Sequence, residues 1–130
     1  MTTPSKTVEE LKRLAGEAES GRLVIELGAA ERCAKYCDDY VSRLRILQRN
    51  SQEVMKVDSF GNLTSATTLG TKFQSLADGG EGSGSFTDAV VQHIAVIEAM
   101  ADMYRKAGAA YQACDEATRQ AIQQQTNELA

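Results

Sequence analysis

The sequence predicts an all-α protein, an antiparallel helical bundle or hairpin with two long helices, one short middle helix and a short amino-terminal helix. Apolar residues recur every three or four positions over two long stretches, which is the period of a helix face. The one strand-like run, "RLVIEL", is six residues long and has no second run to pair with. Composition agrees: 130 residues, 42% of them hydrophobic and only one a proline, fit a soluble globular chain with a helical lean.

The elements come in order. Thr7 and Glu10 have capping-box spacing, and Val8, Leu11, Leu14 and Ala15 keep helical spacing until Gly21, so residues 7–19 form an amphipathic helix. "RLVIEL" then serves as an extended lead-in. From Ala29 the steps Ala30, Cys33, Cys37, Tyr40, Leu44, Leu47, Ser51 and Val54 make a heptad-like seam, flanked by a second stripe of Ala34, Val41 and Met55. This helix ends near Lys56, where "VDSFGNLTS" collects turn-forming residues.

Residues 63–78 carry Ala66, Leu69, Phe73 and Leu76 on one face and stop at Gly79 and Gly80, a middle helix followed by the linker "GGEGSGS". Ser85 and Asp88 then suit the N-cap and first turn of the last helix. Its seam runs Val90, Ile94, Ile97, Ala101, Tyr104, Gly108, Tyr111 and then Asp115. Val96, Met100, Met103, Ala107, Ala110 and Cys114 form a second apolar face, to be covered by the short helices or by a second chain.

Charge narrows the function classes. A net charge of −4 with fourteen basic residues scattered along the chain leaves no stripe to neutralise phosphates, so no nucleic-acid partner is expected. The polar amino terminus lacks a secretory h-region, and no stretch approaches the ~20 apolar residues of a transmembrane segment. Three cysteines are not a disulfide framework, and free thiols serve here as small buried hydrophobes.

Catalytic candidates are few. His93 is the single histidine, and nothing in the sequence sets a nucleophile or a carboxylate beside it; the plain reading is a surface or boundary residue. Cys33, Cys37 and His93 are three of the four ligands a structural zinc would want, with neither a C-x-x-C pair nor a second histidine, so no metal or cofactor is expected. Asp38, Asp39, Asp115 and Glu116 are adjacent acids of the kind that line solvated faces. "GGEGSGS" lacks the Lys-Ser/Thr of a phosphate loop.

Tyr111 and Asp115 remain. On one continuous helix they stack a turn apart, giving a phenol and a carboxylate on one face. Two readings stand: a recognition tag, or a tyrosine that finishes the core seam beside a surface acid.

A long helix, the aromatic–glycine pair Phe60-Gly61 at a turn, a helical return and Tyr111-x-x-x-Asp115 near the end of the last helix resemble the WXG-type (ESX, type VII secretion-associated) small helical proteins of actinobacteria and relatives. "IELGAAERCAKYCDDY", "VDSFGNL" and "AYQACDEATRQAI" are similar to an actinobacterial branch of them, over about residues 24–122. The resemblance implies a non-enzymatic helical substrate or co-substrate that pairs with itself or a related helical protein. It also implies that Tyr111 and Asp115 form part of an export signal read by the type VII secretion ATPase and machinery. Export would take a signal-peptide-independent route, with the protein cytoplasmic beforehand. The alternative is a cytoplasmic helical adaptor or dimerisation module for a larger partner, in which Tyr111 is structural.

On this reading residues 1–21 are an amino-terminal helix and tail, residues 22–125 the WXG-like domain and residues 126–130 a tail. The hairpin departs from the family's Trp-x-Gly, with Ser59-Phe60-Gly61 and no tryptophan anywhere. Helical rise over the successive rods brings Tyr111 near the level of the Phe60-Gly61 turn.

Overall fold

The computed structural model describes residues 3–54 and 86–129, all of whose regular elements are helices: α1 (Pro4–Glu19), α2 (Leu27–Val54), α3 (Phe86–Ala113) and α4 (Glu116–Leu129). The fold is all-α, with two helices of 28 residues each and a shorter one before them. The expected middle helix over residues 63–78, the Phe60-Gly61 turn, the "GGEGSGS" linker and the Ser85 cap lie outside the described residues.

Helix α1 begins three residues before the expected capping box. The Thr3 hydroxyl accepts from the Lys6 N–H at 3.3 Å and Pro4 occupies the first turn, where its missing N–H costs nothing. Thr7 is therefore inside the helix, its hydroxyl donating to the Thr3 carbonyl, and Glu10 pairs with Arg13 instead of reaching back. The end matches expectation. Gly21 has φ +82°, its N–H donates to the Ala18 carbonyl and the Arg22 N–H to the Glu17 carbonyl, which is the glycine-dependent Schellman closure.

The lead-in has no regular secondary structure over residues 24–26 and works as packing. Leu23 and Ile25 lie against the cluster of Leu11, Ala15 and Met103, and the Ile25 N–H donates to the Ala107 carbonyl at 3.2 Å. Glu26 then opens α2: its carboxylate accepts from the Gly28 N–H at 2.9 Å and the Ala29 N–H at 2.8 Å. Those two bonds, with Arg32 adding a smaller charge effect, hold the Glu26 carboxyl below the usual carboxylate range.

The chain divides into two compact units, Met1–Tyr40 with Ala95–Ala130, and Val41–Ile94. In the first, α2 and α3 run antiparallel. A methyl on Gly108 would stand 2.9 Å from the Ala30 Cβ, while further along Arg105 pairs with Asp38. Helix α1 lies parallel to α3: Leu11 and Ala15 meet Met103, and Glu19 reaches the Lys106 ammonium at 2.8 Å. The second apolar face of α3 is thus covered in part by the amino-terminal helix, through Met103. In the second unit the buried positions described are Val41, Leu44, Val90 and Ile94.

Among the residues of α2 whose side chains are described, the buried ones are Ala30, Ala34, Cys37, Val41 and Leu44, a 4–3–4–3 series drawn from both expected stripes. Tyr40 and Leu47, expected in the seam, are exposed. An apolar face wider than one seam left two registers open, and packing selected the one with small residues where α3 comes closest. The α3 seam holds at Val90, Ile94, Ala101 and Gly108. Because α3 is antiparallel to α2 and Gly108 faces Ala30, Tyr111 stands by the amino-terminal end of α2. The expectation that Tyr111 reaches the level of the Phe60-Gly61 turn falls on a turn outside the described residues.

Candidate functional site

Tyr111 and Asp115 were expected one turn apart on a single helix. They are separated by a break. Helix α3 ends at Ala113, residues 114 and 115 are non-helical, and α4 starts at Glu116. The last turn of α3 tightens as the Cys114 N–H donates to the Tyr111 carbonyl at 3.1 Å, and the Cys114 thiol donates to the Ala110 carbonyl at 3.3 Å.

Asp115 is the N-cap of α4. Its Oδ1 accepts from the Thr118 N–H at 2.7 Å, satisfying one of the first-turn donors. Bonds from the Thr118 side chain and then its backbone, with the Arg119 charge behind them, keep the Asp115 carboxyl below its ordinary range. Its capping is therefore present above the ordinary carboxylate pKa and is lost as pH falls through the lowered one.

Tyr111 is half-buried, and its hydroxyl donates to the Arg119 carbonyl at 3.3 Å, with the Gln123 Oε1 at 3.5 Å as a second acceptor. A straight helix would carry residue 119 about 12 Å up the axis from residue 111, beyond that hydroxyl's reach, so α4 must turn back toward the Tyr111 ring. The ring and α4 border a shallow groove of about 450 Å³ whose walls include Gln120, Gln124 and Asn127. Arg119 pairs with Glu116 at 2.7 Å, yet its Nε is buried without a hydrogen-bond partner.

The missed helix had a signal. Asp115-Glu116 followed by Ala117 and Thr118 has a cap residue and an acid in the first turn, the same features used for Ser85 and Asp88. With no Gly or Pro between Ala109 and Leu129 to mark a stop, the continuous seam overrode it.

Other candidates do not converge. Cys37 is buried, and burial first, then the neighbouring Cys33 and Asp38, pushes its thiol up, the opposite of an activated nucleophile. Cys33 and Cys114 are free and half-buried, and His93 is exposed. Tyr104, near both Cys33 and Cys37, has its phenol pushed up mainly by burial. Among the described residues no group of three or more His, Cys, Asp or Glu could hold a metal ion, and no helix is long and apolar enough to cross a membrane.

No protein-family model, no curated protein and no solved structure matches the chain.

Proposed function

We propose that the chain is a non-enzymatic type VII secretion-associated helical protein, an exported substrate or co-substrate that pairs through its helices and carries Tyr111-x-x-x-Asp115 as an export signal. The observation that supports this reading is the position of the pair: a half-buried phenol and an exposed, fixed carboxylate bracket the junction where α3 ends and α4 begins. An anchored ring close to a fixed charge at the junction of two helices offers a partner groove one apolar and one charged contact. Exposed Tyr36, 71% accessible, and Tyr40, 41% accessible, on α2 suit a helical partner, either itself or a relative.

The test is export. Wild-type protein should reach the culture filtrate only when the system's ATPase is intact, and Tyr111→Ala or Asp115→Ala should abolish export while leaving soluble protein in the cells. Export that persists without the ATPase, or in both variants, overturns the reading.

One observation favours a second reading, a cytoplasmic helical adaptor or dimerisation module for a larger partner. The Tyr111 hydroxyl is engaged by the chain's own α4, as a structural tyrosine's would be. Co-purification of a stoichiometric cytosolic partner with no exported fraction would select it.

A further inference from the structure

We propose that residues 113–115 are a two-state hinge: α4 either turns back on Tyr111 with Asp115 as its cap, or runs on from α3 as one helix that sets Tyr111 and Asp115 side by side. The conformational claim stands on its own; that the second state presents the signal rests on the export reading above.

Three observations converge on near-balance between the states. First, the break has no covalent cause. The stretch Ala109-Ala110-Tyr111-Gln112-Ala113-Cys114-Asp115-Glu116-Ala117 contains neither Gly nor Pro, and the apolar spacing of α3 continues through it. Closing it would make the backbone hydrogen bonds of one uninterrupted helix, including one from the Asp115 N–H to the Tyr111 carbonyl that now serves Cys114.

Second, little holds α4 in place. None of its residues is buried; Arg119, Ile122, Gln123 and Thr126 are half-covered, and the polar links to Tyr111 are the long hydroxyl contacts at 3.3 and 3.5 Å. Third, docking leaves a buried donor, the Arg119 Nε, without a partner, whereas release would return it to water. Set against these, the break is held by the Asp115 cap, the Thr118 side-chain bond to the same carboxylate and the tight Cys114 N–H bond to the Tyr111 carbonyl; the Asp115 carboxylate takes part in two of the three, so the balance turns on it.

When the helix runs on, residues 111 and 115 become i and i+4 neighbours on one face and the Tyr111 hydroxyl loses its carbonyl partner. The hinge would therefore show or withhold the pair.

Two substitutions push the hinge in opposite directions. Asp115→Ala removes the cap and should favour the continuous helix by roughly five- to tenfold. Glu116→Pro suits the first position of α4 and forces residue 115 to stay extended, but cannot lie inside a continuous helix, so it should lock the break. Both would be read by NMR on the full chain, from carbon secondary shifts at residues 113–115 and cross-peaks between the Tyr111 ring and Gln123.

The expected result is helical shifts and loss of those cross-peaks in Asp115→Ala, with the broken signature kept in Glu116→Pro. Unchanged broken signatures in both variants overturn the hinge, as does a loss of helical shifts over residues 116–129 in Asp115→Ala, which would mean that α4 melts instead of joining α3. Since these are conformational readouts, failed export with the expected shifts bears on the export reading alone.

Discussion

Gly108 of α3 lies so close to Ala30 of α2 that a methyl on the glycine would sit 2.9 Å from the alanine Cβ and 3.4 Å from the Leu27 Cδ1. Both residues are helical, and glycine is tolerated in α3 because only hydrogen lets the two backbones approach. Gly108→Ala gains helix propensity worth about 1 kcal/mol but forces the helices apart, an overpacking cost of about 1–3 kcal/mol. The substitution should lower unfolding stability by up to about 2 kcal/mol in denaturant titration. Moving the methyl across, as Gly108→Ala with Ala30→Gly, should return stability to within about 1 kcal/mol of wild type; a double variant no better than the single one would deny the close approach.

Glu26 predicts a pH dependence. Its carboxyl lies below the ordinary range in the folded chain because the Ala29 and Gly28 N–H groups bond its charged form. A folded pKa lower than the unfolded one stabilises the fold above the ordinary carboxylate pKa, and this contribution fades as pH falls through the lowered value. Glu26→Ala should cost about 1 kcal/mol at neutral pH, a normal loss for an N-cap, and the gap from wild type should narrow on acidification. A gap that stays constant down to strongly acidic pH would remove the carboxylate cap from the account.

The amino-terminal helix should stand or fall with its apolar contacts. Leu11 is 8% exposed and packs with Ala15 and Met103, so Leu11→Ala should cost about 2–4 kcal/mol and expose α1 to proteolysis. Lys12→Ala, one residue on and exposed, should change stability by no more than about 0.5 kcal/mol. Equal effects of the two substitutions would mean that α1 is not docked by this cluster.

Tyr111→Phe isolates the hydroxyl from the ring. It removes the bond to the Arg119 carbonyl while keeping the half-buried ring, and should cost about 1 kcal/mol or less. Hydrogen exchange of the α4 amides should rise selectively, since the lost bond holds that helix alone. Faster exchange spread evenly over α1, α2 and α3 would contradict the local role.

The Arg105–Asp38 pair bridges α3 and α2, but the side chains are 54% and 53% exposed. A double-mutant cycle should give a coupling of about 1 kcal/mol or less, declining with added salt. A larger coupling that resists salt would show the pair to be shielded from solvent.

The all-α class, the short first helix and the two long ones were legible from residue order because a helix advertises itself locally: side chains three and four apart share a face whatever the face later meets. Gly21 ended α1 as expected for the same local reason, a backbone angle that a glycine adopts freely. Capping was less legible: Thr3-Pro4 took the place of the Thr7–Glu10 box that spacing favoured, and the Glu26 cap of α2 carries no comparable spacing signal, each such bond being small.

Which stripe of α2 is buried, and whether Tyr111 and Asp115 share a helix, were decided in three dimensions. Ala34 and Val41 displaced Tyr40 and Leu47 from the core because α2 lies where Gly108 brings α3 against Ala30, a contact between residues far apart in the chain that no local period encodes. Likewise nothing from Ala109 to Ala117 forbids one long helix. The chain breaks at Cys114 because the Asp115 cap and the Tyr111 hydroxyl find partners three and eight residues further on, and those bonds exist only after α4 has turned back.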